Sequence, residues 1–149
     1  MTTDLRTEFR DADGSPGLAL WRATNAWQRS IRAALAPHGL THVQFVLLAS
    51  LTWMDRSEPV TQRELATHAG TDVMMTSQVL RTLETKGLIT RSPHPSDGRA
   101  IVLAPTPAGI ALANRANTDV EAADQVYFGT LPADERDALT RALHKLSRG

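Results

Sequence analysis

The sequence predicts a mainly α-helical chain interrupted by one small β-hairpin, and three observations carry that prediction. Apolar residues recur at the 3.6-residue spacing of an amphipathic helix in six separate stretches. Most of those stretches open on a serine, threonine or proline suited to a helix start and stop at a glycine or proline. Between residues 88 and 103 alone, the spacing drops to two around a run of turn-forming residues.

With 149 residues and 42% hydrophobic content, the chain has the size and apolar share of one packed domain. Residues 1–15 carry mixed charges, Gly14 and no apolar period, so they are expected to form a flexible arm ahead of a single domain over 16–149. Ser15-Pro16 suits a helix start, because the hydroxyl can accept a free backbone N–H and proline loses nothing at the first helical position. That helix carries Leu20, Ala23, Trp27, Ile31, Ala34 and Leu35 on one face until Pro37-His38-Gly39 stops it. Thr41 then caps a second helix with Phe45, Leu48, Ala49 and Trp53 at helical spacing, and the polar segment from Arg56 to Pro59 follows as a loop.

Thr61 and Glu64 fit a capping box ahead of Leu65 and Ala66, so a short third helix is expected, closed by Gly70. Thr71 can cap a fourth, whose core face is Thr76, Val79, Leu80 and Leu83 and whose end is Gly87. Leu88 to Arg91 and Ala100 to Leu103 read as two strands joined by a polar tip, residues 92–98. After Thr106-Pro107 a long helix runs through Ile110, Ala113, Ala116, Val120 and Ala123 to Gly129. A last one, Pro132 to Leu146, carries Leu139, Leu143 and Leu146 on one face.

Composition removes several classes of function. The chain has no cysteine, which excludes disulfides, thiolate metal sites and cysteine oxidation as a trigger. No apolar run approaches the roughly 18 residues of a membrane span, and Asp4, Arg6, Glu8 and Arg10 break any signal-peptide core, so a cytoplasmic protein without a membrane partner is expected. There is no Gly-rich phosphate loop, nucleophile elbow or coherent acid/base pair, and Glu64-x-x-x-His68 lacks the paired histidines of a zinc hydrolase. No catalytic residue, cofactor or metal is therefore expected; His38 and His42, four apart, flank Gly39 in a turn without carboxylate or sulfur ligands beside them.

A short capped helix, a second helix after a glycine turn and a hairpin immediately behind them have the layout of a winged helix-turn-helix, here over about 40–106. On the second of those helices the core face leaves Met74, Ser77, Gln78 and Arg81 pointing outward. Gln78 can pair with adenine, Arg81 with guanine, Met74 can press on a thymine methyl and Ser77 suits a phosphate. Net charge is zero, and residues 61–103 hold five basic and four acidic side chains, so any case for double-stranded DNA rests on position. Lys86, Arg91 and Arg99 flank or occupy the hairpin, and Asp97 is placed to pair with Arg99 and hold its guanidinium for a minor groove. A solvated turn pair is the other reading of Asp97 and Arg99.

The order and spacing of these fragments over about residues 16–147 resemble the MarR family of regulators. The resemblance is carried by Leu40-Thr41 with Gln44-Phe45 and Leu48, Thr61-Gln62 with Leu65-Ala66, and Leu83-Glu84 with Gly87-Leu88-Ile89. It continues through Arg91, Pro95, Asp97, Arg99, Leu103, Thr106 and Gly109. It implies a homodimer with intertwined first, fifth and sixth helices (dimerisation helices at about 16–36 and 107–147), a recognition helix over Thr71 to Lys86, and a wing that places Arg99 in the minor groove. Gln78 and Thr82 depart from the family pattern, in which a further basic residue is common. The resemblance and the helix pair together predict a sequence-specific regulator, a repressor acting on a palindromic operator. The alternative is a protein-interaction module that keeps the fold without specific DNA binding.

Independently of the family, an alanine-lined helix followed by a leucine-faced one presents more apolar stripe than one small lobe can cover, which a second copy would bury. Trp21, Trp27, His38, His42 and Trp53 come from the first two helices and their junction. They can line a pocket for a small aromatic or phenolic effector, or the tryptophans can serve as core and interface packing.

Overall fold

The computed structural model describes residues 4–148; residues 1–3 of the expected arm, and Gly149, lie outside them. Regular structure begins slightly before Ser15, in a 3-10 turn Ala12–Gly14 capped by Asp11 and joined to the first helix by an Arg22–Asp13 ion pair of 3.1 Å. Helix α1 (Pro16–Leu35) starts as the sequence indicates: Ser15 Oγ accepts from the Leu18 N–H and Pro16 stands first. It passes into a 3-10 turn, Ala36–His38, and Gly39 at φ 67° reverses the chain where a side chain would be strained. Helix α2 (His42–Trp53) opens with a reciprocal capping box between Thr41 and Gln44.

Four buried side chains on α2, Phe45, Leu47, Leu48 and Leu51, show that it is covered on more than one side. A helix apolar nearly all round belongs at the centre of a domain, and α2 touches every other helix of the lobe as well as the sheet. The apolar stripe assigned from spacing alone therefore fails at its end. Leu51 takes the inward direction, and Trp53, in the last turn, is 88% exposed.

A two-residue strand, β1 (Val60–Thr61), precedes α3 (Gln62–Ala69), whose capping box joins Thr61 to Glu64. At the end of α3, Gly70 N–H bonds Thr67 O and Thr71 N–H bonds Ala66 O, a Schellman closure. Helix α4 (Val73–Thr85) is capped one residue later than the sequence suggests. Asp72, not Thr71, accepts the Met75 N–H, at 2.9 Å. Thr71 instead shares a 2.6 Å hydrogen bond with the hydroxyl of Thr76, which is fully buried and also donates to Asp72 O. Carboxylate wins over hydroxyl because it also complements the positive helix end. Replacing Asp72 by alanine is expected to cost about 1 kcal/mol in urea unfolding. Thr71→Ala should cost less, since Thr76 keeps its bond to Asp72 O.

Helix α4 ends in a second Schellman closure, Gly87 N–H to Glu84 O and Leu88 N–H to Leu83 O, with Gly87 at φ 75°. Because Leu88 belongs to that closure, the strands start later than expected, at β2 (Ile89–Pro93) and β3 (Ile101–Pro105). The sheet is antiparallel in the order β1-β3-β2, with Arg91 opposite Leu103 and Val60 opposite the same leucine on the other edge. Helix α5 (Pro107–Phe128), capped by Thr106, buries Ala113, Ala116 and Val120. Helix α6 (Ala133–Ser147) buries nothing: Leu139 is half-covered, and Leu143 and Leu146 are 42% and 72% exposed.

The core is one cluster in which Ile31 and Leu35 of α1 meet Leu47, Leu48 and Leu51 of α2, Leu65, Leu80 and Leu83 of the helix pair, and Ile89 and Leu103 of the sheet. Each such side chain contributes about 1.5–3 kcal/mol by leaving water. The α1 face predicted from spacing is buried only in its second half; Leu20 remains 52% exposed, and its neighbour Trp21, off that face, 68%. Among the described residues, no single helix is long and apolar enough to cross a membrane, and no group of three or more His, Cys, Asp or Glu is placed to hold a metal ion.

Candidate DNA interface and ligand groove

Thr76, Leu80 and Leu83 anchor α4 by one face, which fixes the direction of the opposite one. Met74 is 77% exposed there, Gln78 and Arg81 are exposed, and Ser77 is half-buried beside them. Beyond β2, His94 N–H bonds Ala100 O and Ala100 N–H bonds Asp97 O, closing the hairpin tip on itself. Asp97 does not hold the guanidinium of Arg99. Its Oδ1 accepts the backbone N–H of Arg99 at 3.1 Å, so the carboxylate shapes the turn and leaves the arginine side chain unengaged among the described residues. In a D-x-R turn the nearest donor to the carboxylate is the backbone amide two residues on, which forms an Asx-type turn.

The two remaining basic candidates are used inside the fold. Lys86 Nζ donates to Gly39 O at 2.9 Å and to Gln44 Oε1 at 3.2 Å, tying the exit of α4 to the α1–α2 turn. Arg91 is half-buried, with Nη1 3.9 Å from Glu84 Oε1 and its Nε buried without a hydrogen-bond partner among the described residues. The structure adds a residue that spacing did not single out. A cleft of about 510 Å³ between α3, the start of α4 and the wing brings Arg63 and Gln62 beside Val73, Asp97 and Arg99. The β1–β3 pairing draws the start of α3 to the hairpin, and a two-residue strand leaves no periodic signal.

Of the five residues proposed for an effector pocket, two come together. Trp27 and His42 meet edge to face, ring centres 5.1 Å apart, in an open groove of about 500 Å³ that also takes Arg32 from α1, Val46 from α2 and Thr71 from the α3–α4 turn. Trp27 Nε1 donates to Asp124 Oδ1 at 2.8 Å, which fixes the indole plane. Burial holds the His42 imidazole below its ordinary value of 6.5; the Arg32 charge pushes the same way and Asp124 opposes both. A neutral histidine beside an arginine and an indole face can receive an aromatic ring and pair its anionic substituent.

The other three lie elsewhere, for geometric reasons. Trp21 is six residues from Trp27, about 120° around the helix, and faces outward. Trp53 shares the stripe of His42 but stands about 16 Å along it, at a separate groove of about 360 Å³ with Ala113, Asn117 and Glu121 of α5. His38 turns to α5, where Nε2 lies 2.6 Å from Asp119 Oδ2.

Known proteins share both the sequence and this architecture. The MarR family model matches residues 40–101, the segment from the start of α2 to the start of β3. The chain is 46% identical over 126 residues to the HTH-type transcriptional regulator YdcH of Bacillus subtilis, spanning 84% of this chain and 86% of that protein. It is 37% identical to the HTH-type transcriptional repressor Rv2887 of Mycobacterium tuberculosis, over 91% and 96% of the two chains. A crystal structure of Rv2887 with salicylic acid superposes with a TM-score of 0.67 at 36% identity, over 92% and 98%. CouR, known from Rhodococcus jostii RHA1, gives 0.83 at 30% identity when bound to a 23-mer DNA duplex, over 96% and 99%. The fold is that of transcription regulators rather than enzymes, and the chain belongs to the MarR family of transcriptional regulators.

Proposed function

We propose that this regulator is a homodimeric repressor that binds a palindromic operator and leaves it when a small aromatic acid enters the Trp27–His42 groove. The observation that carries the DNA half is the shared cleft between α4 and the wing. It brings Val73, at the start of α4, beside Arg63 and Arg99, and Met74, Gln78 and Arg81 are exposed further along the same helix, so one helix can read base edges while the wing reaches the adjacent backbone or minor groove. Thr71 sits at the turn that starts α4, Ser77 flanks the reading face, and Lys86 and Arg91 hold its exit. The dimer rests on Leu20, Trp21, Val126, Leu143 and Leu146, large apolar groups exposed on α1, α5 and α6 that a second copy would cover. Two-fold symmetry then spaces two α4 helices one DNA turn apart.

Release follows from what the groove joins. One wall is α1, part of the dimer framework in this reading, and the other is α2 with Thr71, the residue bonded to Thr76 of the recognition helix. A ligand that fits one spacing of those walls better than another biases the separation of the two reading heads. The relatives Rv2887 and CouR carry salicylic acid and p-coumaroyl-CoA in their crystal structures, an aromatic acid and an aromatic acyl thioester. The test is selection of duplexes from a random pool, followed by gel shifts with salicylate. A palindromic site that binds more tightly than random duplex, and is released by salicylate in the wild type but not in Trp27→Ala, is the expected result. Equal affinity for selected and random duplex would sink the operator reading.

A further inference from the structure

The wing tip is organised by a histidine that neither the helix pair nor the wing arginine accounts for. His94 Nδ1 accepts the backbone N–H of Ser96 at 3.1 Å and that of Asp97 at 3.2 Å, with the Ser96 hydroxyl at 3.3 Å. One ring nitrogen thereby gathers two successive amides of a segment that has lost its sheet partners. The second of those amides belongs to the residue whose carboxylate, in turn, fixes the Arg99 N–H at 3.1 Å. Asp97 O also receives the Ala100 N–H, which closes the loop back to the His94 backbone through the Ala100 carbonyl. The chain of bonds runs from His94 to Asp97 to Arg99 without a gap.

We infer that His94 is a positioning residue for DNA recognition: its Nδ1 acts as the acceptor cap of the wing turn and thereby sets where Arg99 is presented. This rests on the reading of the wing as a DNA contact. An exposed seven-residue tip without such a cap samples many conformations, and each must be frozen out on binding, which lowers affinity and blurs the position of the arginine. Aspartate, asparagine and serine cap turns in this way through an oxygen bonded to Cβ or Cγ. Nδ1 of histidine is bonded to Cγ and reaches the same place. It can accept only while it carries no proton.

That chemistry yields a paired test. His94→Phe keeps the ring and removes the acceptor, whereas His94→Asn removes the ring and returns an acceptor at the same bond from Cγ. Both are compared with wild type and with Arg99→Ala for binding to a duplex selected by the wild-type protein from a random pool, using fluorescence anisotropy, with the melting temperature and the Ser96 and Asp97 amide exchange rates measured alongside. Losing two solvent-accessible hydrogen bonds in each wing should weaken binding by His94→Phe about fivefold to tenfold. His94→Asn should stay within about twofold of wild type, with the Ser96 and Asp97 amides protected and the melting temperature unchanged, because an oxygen acceptor replaces the nitrogen one.

If His94→Phe binds as well as wild type while Arg99→Ala is weakened, the cap has no role in presenting the arginine and the inference fails alone. The same holds if His94→Asn falls as far as His94→Phe, which would assign the effect to the ring. If Arg99→Ala itself binds as wild type, the wing makes no contact and both the inference and the reading beneath it are overturned.

Discussion

Arg99→Ala is expected to lower operator affinity by at least about tenfold while leaving the fold and its melting temperature unchanged. The fold is spared because nothing in it depends on the guanidinium. Arg99 is exposed, its bond to Asp97 uses the backbone amide, and no hydrogen bond or ion pair among the described residues engages its side chain. The loss in binding is large because the proposed two-fold complex would lose two such contacts at once, and a desolvated arginine in a narrow, strongly negative groove contributes on the order of 1 kcal/mol or more each. Lys86→Ala provides the contrast. Its ammonium ties Gly39 and Gln44, so its removal should be felt in unfolding more than in the salt dependence of binding. Anisotropy titrations with the selected duplex at two salt concentrations separate these outcomes. Unchanged affinity in Arg99→Ala would remove the wing from the proposed interface.

The elements readable from sequence are those whose signals are local. Ser15, Thr41 and the Thr61–Glu64 box each cap the helix they precede, because a cap needs only residues within four positions. The α5 face of Ala113, Ala116 and Val120 is equally plain, since that helix is covered along one side only. Three features escaped because they depend on the rest of the fold. Helix α2 is buried on several sides, so no single stripe describes it and Trp53 falls outside the core. Strand β1 is two residues long and exists only because β3 has an open edge. The choice of Asp72 over Thr71 as cap is decided by Thr76, which draws the Thr71 hydroxyl into its own buried bond.

The candidate site was legible in the same uneven way. The outward face of α4 follows from its core face by subtraction, which is why Met74, Gln78 and Arg81 are found exposed. Charge alone says less: Lys86 and Arg91 are basic and close to the hairpin in sequence, yet each finds an internal partner, Gly39 O and Glu84. Asp97 and Arg99 form a unit through other atoms than the sequence suggests, because proximity in sequence cannot distinguish a guanidinium from a backbone amide. In the groove, aromatic type selected five residues and helical geometry keeps two. Arg32 and Thr71, which join Trp27 and His42 there, come from elements whose approach only the folded chain shows.

Gly109→Ala is expected to destabilise the protein by about 2 kcal/mol, and the argument rests on two opposing magnitudes. In the first turns of a helix, alanine in place of glycine gains up to about 1 kcal/mol from propensity. At this position, however, a Cβ would overlap the Leu88 carbonyl oxygen, and the obstacle is backbone, which cannot rotate away as a side-chain tip does. That carbonyl is held in place by the Thr106 N–H at 3.0 Å, while the Thr106 hydroxyl donates to Gly87 O at 2.7 Å and accepts the Gly109 N–H at 3.0 Å. Relief therefore requires moving either the start of α5 or the exit of α4, both of which are locked by those bonds. Overpacking of this kind typically costs about 1–3 kcal/mol or more, which exceeds the propensity gain. Gly17→Ala is the control: its Cβ would meet only Ser15 Oγ at 3.9 Å, an ordinary contact, so it should be neutral or slightly stabilising. Urea unfolding of both variants reads the difference as a shift in midpoint at constant slope. Because Leu88 closes α4 and leads into the wing, Gly109→Ala should also weaken operator binding, through a tilt of the reading head rather than loss of any contact made by residue 109. A variant as stable as wild type would mean that α5 does not press on that carbonyl, and the coupling between the long helix and the recognition helix would have to run elsewhere.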